Sequence, residues 1–360
     1  MRATCATIHL GALRANLERV RTLAPTAKIM AVVKADAYGH GLERVALALD
    51  RADAFGVADI ADGQRLRAAG IAQRIVVLSG LDDAGDLAEL RRLHLESVVH
   101  HDAQIEWLAA DRAGAPIKVW LKIDSGMHRL GFSPRRAREV HAALRRLSNV
   151  DPEIVLMTHF ARSDEFDDAS TIRQTTCFEH AIAGLEGERA LANSAAVIGW
   201  PDSRAQWVRV GGALYGISVV AGKTAADFGL RPAMTLTSRL IAIKRIRSGD
   251  MVGYGAGWRA DRDTNLGIAS IGYGDGYPRH AGSGTPVLVG GCRAELVGRV
   301  SMDLITIDLG EFANVRLGDP VVLWGEGLPV EEIALHAETI GYELTCGVTR
   351  RVRFAEDDRR

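Results

Sequence analysis

Short apolar, β-branched runs alternate with longer alanine- and arginine-rich segments over the first part of the chain. The predicted strands cover residues 28–34, 54–58, 74–79, 97–100, 117–123, 153–159, 189–192 and 207–210. Every strand except the last is followed by a segment of helical periodicity, including 43–50, 61–69, 84–93, 103–111, 135–147 and 166–185. The strand runs are almost continuously apolar, which is typical of strands buried on both faces. The pattern predicts an α/β fold, a (β/α)8 barrel of the TIM type.

The pattern changes after Arg231-Pro232, where strands separated by Gly, Asp and Asn turns replace the alternation with helices. Predicted strands cover residues 234–246, 266–271, 287–289, 294–300, 304–309 and 321–324, and only 331–339 is predicted to be helical. The sequence therefore predicts two domains, a barrel over residues 1–230 and a mainly β domain over residues 231–360.

Composition narrows the class of protein. The chain has 360 residues, of which 47% are hydrophobic, with 44 Lys and Arg against 45 Asp and Glu. This balance argues against binding to nucleic acid or an anionic membrane, and no apolar run approaches the roughly 20 residues that span a bilayer. The four cysteines have no metal-ligand spacing, so we expect buried thiols, no bound metal and a cytoplasmic location, since no signal peptide is evident.

Reactive side chains stand at the C-terminal ends of several predicted strands, which face one shared mouth in such a barrel. Lys34 closes the first apolar run, and burial there would lower its pKa, as a Schiff-base lysine requires. A strand-end lysine that reaches solvent is the alternative, and the position by itself favours that alternative. Tyr38 and the glycines just beyond it shift the balance towards a functional lysine.

Other rim positions suit an anion or a ring. Asn193 and Ser194 open a predicted helix, and Gly211-Gly212 lets the backbone approach a ligand closely. Ser194 also fits an ordinary helix cap, and His159 fits a satisfied core histidine. Arg209 lies within an apolar strand, where an arginine needs a partner.

The second domain places aromatic residues in glycine-rich turns, at Tyr254 and Tyr273, with further polar insertions around Met302 and Tyr342. A turn with a packing aromatic is the alternative at each of these positions, and the residues by themselves favour that alternative.

The motifs resemble the alanine racemase family, a group of barrel-type enzymes that depend on pyridoxal 5'-phosphate. The resemblance covers essentially the whole chain in order: VVKADAYGHG (32–41), GMHRLG (126–131), THFA (158–161), NSAA (193–196), VRVG (208–211), ALYG (213–216), GYGDG (272–276), GRVSMD (298–303) and YEL (342–344). It implies an isomerase that interconverts L- and D-alanine, either supplying D-alanine for peptidoglycan or serving alanine catabolism.

The resemblance also implies a role for each site residue. Lys34 carries the cofactor as a Schiff base and is one catalytic base, while Tyr254 of a second chain in a head-to-tail homodimer is the other. On the phosphate side, the cofactor is contacted by Tyr38, Asn193, Ser194, Gly211, Gly212 and Tyr342. On the ring side, it is contacted by Arg209, at the nitrogen, and by His159. Arg129 and the Met302 N–H bind the substrate carboxylate, Tyr273 narrows the entrance, and Lys122 matches a lysine that is carbamylated (N6-carboxylysine).

The chain departs from the family pattern at few positions. Gly253 replaces the usual serine before the catalytic tyrosine, Ala190 replaces a histidine, and His128 replaces a common glycine. None of these touches the implied chemistry directly, so they bear on substrate preference.

Three alternatives stay open. A racemase for serine, lysine or a broader range of amino acids would use the same residues. A decarboxylase on the same architecture would pair the ring nitrogen with a carboxylate, which Arg209 argues against, because a permanent cation weakens the ring as an electron sink. A cofactor-carrier protein would lack a second domain.

Overall fold

The structure, a computed structural model, describes residues 3–111, 114–310, 312 and 314–358. The chain forms two compact units. One unit consists of Asn16–Leu214 with Val220–Gly222. The other consists of the residues up to Ala15, Tyr215–Val219 and the residues from Lys223 onward.

The first unit is a closed parallel barrel. After β1 (Cys5–His9), which belongs to the other unit, the barrel strands are β2 (Lys28–Val32), β3 (Ala54–Val57), β4 (Arg74–Val77), β5 (Glu96–Val99), β6 (Val119–Lys122), β7 (Val155–Met157), β8 (Arg189–Ala190) and β9 (Trp207–Val210). Pairing of β2 with β9 closes the ring. The predicted (β/α)8 barrel is thereby confirmed.

Helices surround the strands because their apolar positions pack on the outer face of the ring. They cover Leu10–Leu23, Leu42–Ala48, Ile60–Ala68, Asp86–Arg92, Asp102–Ala110, Ala137–Arg145, Ser170–Ile182, Ser194–Gly199 and Gly212–Tyr215. Apolar side chains from all eight strands fill the ring itself: Met30, Ala54, Val76, Val98, Trp120, Val155, Met157, Ala190 and Trp207.

The N-terminal end of the barrel is sealed by a charged and aromatic cluster. Glu96, which is buried, accepts hydrogen bonds from Arg74 at 2.5 and 2.8 Å and from the Trp120 indole at 2.7 Å. The Arg74 guanidinium lies 4.8 Å from the centroid of the Trp207 ring. The Glu96 carboxylate and the Trp120 N–H are thus both hydrogen-bonded, which offsets much of the cost of burying them.

The second unit is a mainly antiparallel sheet. It contains β1 together with β10 (Met234–Ile246), β11 (Met251–Val252), β12 (Trp258–Arg259), β13 (Thr264–Ala269), β14 (Pro286–Val289), β15 (Cys292–Leu296), β16 (Ile305–Gly310), β17 (Pro320–Trp324) and β18 (Arg353–Asp357). The main sheet has the order β13-β16-β15-β14-β17-β10-β1-β18, and β10 also pairs with β13. The mainly β character predicted for this half of the chain is confirmed.

Three details differ from the sequence predictions. The N-terminal strand β1 pairs with β10 and β18, so the first residues belong with the second unit, whereas the prediction placed them with the barrel. Two helices are present, Val330–His336 and Gly341–Cys346, where one was expected. Buried thiols were expected, yet Cys292 and Cys346 are exposed, because each lies on the surface of this unit.

None of the helices in the described ranges is long and apolar enough to cross a membrane.

We predict that Glu96→Ala destabilises the protein by about 3 kcal/mol, because the Arg74 guanidinium and the Trp120 N–H would lose their buried acceptor. Equilibrium urea denaturation measures the loss. Glu89→Ala, which breaks the exposed Arg92–Glu89 pair, is the matched control and should change nothing measurable. Equal effects of the two substitutions would contradict the role given to the Glu96 cluster.

Candidate active site

Lys34 lies at the C-terminal rim of the barrel, two residues beyond the end of β2. It begins a helical turn in which residues 35–38 all adopt left-handed dihedral angles, with φ between 52° and 55°. The side chain of Lys34 is exposed in the single chain. The predicted desolvation of Lys34 is therefore wrong for the chain by itself, because the strand stops at Val32 and the lysine belongs to the turn.

The turn places Tyr38 against the end of β9. A Cβ atom at Gly211 would lie only 2.5 Å from the Tyr38 hydroxyl, so a larger residue there would displace the tyrosine ring. The Ser194 hydroxyl accepts hydrogen bonds from the backbone N–H groups of Gly211 at 2.9 Å and Ala213 at 3.2 Å. Gly212 is buried beside them. We call Tyr38, Ser194, Gly211 and Gly212 the cradle, since they combine two hydroxyls with closely approachable backbone.

Asn193 precedes Ser194 and supports the cradle by capping the helix that follows. Its side-chain oxygen caps the helix Ser194–Gly199 by accepting from the Ala196 N–H at 3.0 Å. The Ser163 hydroxyl donates to the same oxygen at 2.8 Å. This pair fixes the residue that precedes Ser194 and so fixes the direction of the serine side chain.

Arg209 is buried at the centre of the rim. It lies two residues after Trp207 on β9, so that both side chains point into the barrel. Its guanidinium donates to backbone carbonyls of Ala190 at 2.5 Å and Thr158 at 2.6 Å. Burial lowers the pKa of Arg209 to about 10, which leaves it a cation at neutral pH. Within the described ranges no carboxylate pairs with it, so backbone dipoles compensate its charge.

Lys122 and His159 lie among several cationic side chains. Lys122 ends β6 and is buried, and burial together with Arg209, Arg129 and Lys34 lowers its pKa to about 8. Burial and the same neighbouring cations hold the pKa of His159 well below its usual value, so the imidazole is neutral. His159 Nδ1 lies 3.4 Å from the Arg209 guanidinium. The rim therefore favours anionic ligands.

Arg129 stands on a loop built by Asp124. The Asp124 carboxylate accepts from the backbone N–H groups of Gly126, Met127 and His128, each at 3.0 Å. His128 takes a positive φ of 55° inside this loop. Arg129, the next residue, is exposed. The loop thus presents a cation towards solvent at the rim, beyond the strand that carries Lys122.

Sequence reasoning missed the residues that hold the His159 loop. Gln174, on the helix Ser170–Ile182, donates to the His159 carbonyl at 3.2 Å and accepts from the Ala161 N–H at 2.9 Å. The hydroxyls of Ser125 and Thr158 lie 2.8 Å apart in the same layer. No sequence signal identified Gln174, because a polar residue on a barrel helix usually faces solvent.

The second unit brings two of its predicted site residues together. The Tyr273 N–H donates to the Ser301 carbonyl at 3.0 Å, and the Gly274 N–H donates to the Met302 carbonyl at 2.9 Å. Arg351 cross-links the two loops, since it pairs with Asp303 on one and lies 3.3 Å from the buried Asp275 on the other. Tyr273 and Met302 are both exposed in this chain.

Tyr254 and Tyr342 lie elsewhere on the same unit. Tyr254 is 68% exposed and follows Gly253, whose φ of 76° favours glycine. The departure from the family serine at position 253 thus places glycine where the backbone is left-handed. Tyr342 is partly buried in the helix Gly341–Cys346.

The barrel rim fits pyridoxal phosphate. A primary amine stands at Lys34, and the cradle offers the Tyr38 and Ser194 hydroxyls beside Gly211 as partners for a phosphate. The neutral His159 and the buried cation Arg209 lie beside each other in the rim. The set matches the amine, anion and ring-nitrogen partners that such a group needs.

We predict that Gly211→Ala weakens binding of pyridoxal phosphate by roughly tenfold to a hundredfold, because the new methyl group would displace the Tyr38 hydroxyl. Titration of the cofactor-free protein, followed by visible absorbance, measures the dissociation constant. Gly282→Ala is the control: neither glycine has a positive φ, and no atom lies within 4 Å of the methyl group added at position 282. Unchanged affinity in Gly211→Ala would contradict the cradle.

The chain is similar to known proteins over nearly its whole length. The family models "Alanine racemase, N-terminal domain" and "Alanine racemase, C-terminal domain" match residues 8–219 and 233–355. The chain is 51% identical to alanine racemase of Shewanella piezotolerans, over 98% of each chain, and 47% identical to that of Vibrio cholerae, over 99% of this chain and 98% of that one. The biosynthetic alanine racemase of Pseudomonas aeruginosa superposes with a TM-score of 0.96 at 45% identity, covering 99% of this chain and 100% of that one. The chain belongs to the alanine racemase family.

Proposed function

We propose that the protein interconverts L-alanine and D-alanine, with pyridoxal phosphate held on Lys34. The observation that carries the proposal is the left-handed turn, which links an amine at Lys34 to the cradle through Tyr38. The relatives at about half identity are named alanine racemases, which supports alanine as the substrate. Supply of D-alanine for peptidoglycan and alanine catabolism both fit this reaction.

Each part of the rim has a task towards the cofactor. Tyr38, Ser194, Gly211 and Gly212 would hold the phosphate, with Asn193 behind Ser194 and Tyr342 as a further hydroxyl. Arg209 would face the ring nitrogen, and His159 would lie along the ring. When bound, the cofactor withdraws electrons from an attached amino acid and so acidifies its Cα–H bond.

Two bases would exchange the Cα proton from opposite faces. The Lys34 amine would take and return the proton of the D-isomer, and the Tyr254 hydroxyl would do so for the L-isomer. Inversion needs a base on each face, because one base returns the proton to the face from which it came. Arg209 stays cationic with its pKa near 10, which limits the electron sink and favours simple proton exchange.

The substrate carboxylate would be bound by Arg129 and by the Met302 N–H, with Tyr273 narrowing the entrance. Lys122 supports carbamylation because its lowered pKa, about 8, leaves a substantial uncharged fraction of amine near neutral pH. Only the uncharged amine adds carbon dioxide. The resulting carboxylate would give Arg129 a negative partner inside a cluster that is otherwise cationic.

The active site would be shared between two copies of the chain. Tyr254, Tyr273 and Met302 are 68%, 40% and 53% exposed, so each is accessible to a second copy of the chain. A second copy arranged head to tail would cover them and place Tyr254 opposite Lys34. This homodimer would also desolvate Lys34, which is exposed in the single chain.

The proposed reaction predicts that the protein with pyridoxal phosphate removes the circular dichroism of L-alanine, and that Lys34→Ala loses the activity by several orders of magnitude. Borohydride reduction should attach the cofactor to Lys34 in a peptide map. Lys28→Ala is the control, since Lys28 lies at the opposite end of β2.

A higher rate with L-serine or L-lysine than with L-alanine would identify that amino acid as the substrate, and release of carbon dioxide would indicate a decarboxylase. Cofactor on Lys34 with every amino acid keeping its chirality would indicate a carrier.

The shared site predicts complementation between two inactive variants. Subunits with Lys34→Ala and subunits with Tyr254→Phe should each be nearly inactive as homodimers. A hybrid dimer, however, would contain one site with both intact bases. Random exchange of subunits should therefore restore about a quarter of the wild-type activity. Activity that stays at the level of the separate variants would contradict a site shared between chains.

A further inference from the structure

The left-handed turn is the most strained segment near the cofactor lysine. Four consecutive residues without a glycine, 35–38, take φ values from 52° to 55°. Such a conformation persists only where surrounding contacts fix it, because L-residues favour the right-handed form. The turn lies between Lys34 and Tyr38, so its geometry determines how far apart the amine and the cradle hydroxyl are.

His40 contacts the end of this turn from inside the protein. Its side chain is fully buried, and Nδ1 lies 2.9 Å from the Tyr38 carbonyl oxygen and 3.1 Å from the Ala37 carbonyl oxygen. Carbonyl oxygens only accept hydrogen bonds, so Nδ1 carries the hydrogen and donates to both. The two contacts fix the tautomer and fix the orientation of the last peptide groups of the turn.

The charge state of His40 is fixed as well. Burial lowers its pKa to about 4, against the opposing effect of the two carbonyl contacts. The ring is therefore neutral throughout the physiological range and acts as a hydrogen-bond donor of constant strength.

Other hydrogen bonds hold the backbone of the turn at residues 36 and 37. The Ala37 N–H donates to the Val33 carbonyl at 2.8 Å, and the His40 N–H donates to the Ala37 carbonyl at 3.0 Å. The Asp36 carboxylate accepts from the Leu42 N–H at 3.1 Å and from Arg65 at 2.9 Å, and the Asp36 carbonyl accepts from the Gly41 N–H at 2.9 Å. These bonds hold residue 36. His40 acts at residues 37 and 38, the end that carries the cradle hydroxyl.

We propose that His40 is a positioning residue: by donating its Nδ1 hydrogen to the Ala37 and Tyr38 carbonyls, it holds the left-handed turn in the geometry that presents the Tyr38 hydroxyl to the cofactor phosphate. The inference rests on the proposed function, in which the cofactor occupies Lys34 and the cradle. His40 itself touches neither the cofactor nor the substrate.

Two substitutions of similar polarity separate the two ring nitrogens. In His40→Asn, the side-chain amide can place an N–H where Nδ1 stands. His40→Gln places its amide near Nε2, so the Ala37 carbonyl keeps only the backbone N–H of residue 40 and the Tyr38 carbonyl loses the Nδ1 donor. We expect His40→Asn to bind pyridoxal phosphate within about threefold of the wild type. His40→Gln should bind it roughly tenfold to a hundredfold more weakly. Titration of each cofactor-free protein by visible absorbance measures the dissociation constants.

Further measurements distinguish positioning from general stability. At saturating cofactor, KM for L-alanine should stay near the wild-type value in both variants, because Arg129 and Met302 lie on other loops. His141→Asn is the matched control: His141 is also buried, and its Nε2 contacts the Glu186 carbonyl at 3.0 Å on the outer side of the barrel. It should lower the Tm of the cofactor-free protein and leave cofactor affinity unchanged.

Each remaining outcome overturns the inference. Wild-type affinity in His40→Gln, or equal loss in His40→Asn and His40→Gln, would show that the Nδ1 donor does not position Tyr38. An equal loss in the His141→Asn control would assign the effect to stability. Borohydride reduction of the wild type is run in parallel: if it attaches no cofactor to Lys34, the proposed function fails and the inference fails with it, whereas normal labelling confines a failure to His40.

Discussion

The pairing of β2 with β9 is the contact on which the candidate site depends. It joins the first and last strands of the barrel in parallel, with Met30 opposite Arg209 and Ala31 opposite Val210. Parallel neighbours end at the same edge, so the segments that follow these two strands must meet there. Tyr38 and Gly211 come from segments separated by most of the barrel sequence, and they lie in contact because the ring is closed.

The two ends of the barrel differ in how their cationic side chains are paired. At the N-terminal end, Arg74 and Lys28 are paired with Glu96 and Glu188 at 2.5 and 2.7 Å. At the C-terminal rim, burial and the neighbouring cations lower the pKa of Lys122, and backbone carbonyls accept hydrogen bonds from the buried Arg209. At the N-terminal end, carboxylates of the protein itself already balance the cations. An end with excess positive charge is stabilised when an anion binds, which is why the rim suits a phosphate and a substrate carboxylate.

The parts of the fold that the sequence predicted are those with local signals. Apolar runs located the barrel strands within a few residues, and β9 and β10 match their predicted bounds. The strand β1 was missed because its partners lie more than 200 residues away, at positions 234–237 and 353–357. The left-handed turn after Lys34 could not be predicted, since alanine, aspartate and tyrosine all favour the right-handed conformation locally.

The strain in that turn bears on the site itself. Four left-handed residues cost roughly 4–8 kcal/mol, a large part of the ~5–15 kcal/mol that stabilises a typical domain. Contacts at Asp36 and His40 must therefore offset a cost that a relaxed loop would not carry. Strain of this size is found where a functional geometry requires it. Here the strained turn lies between the amine of Lys34 and the hydroxyl of Tyr38. Relaxing the turn would lower the energy of the loop, but it would also change the distance between these two groups, which one cofactor molecule has to bridge.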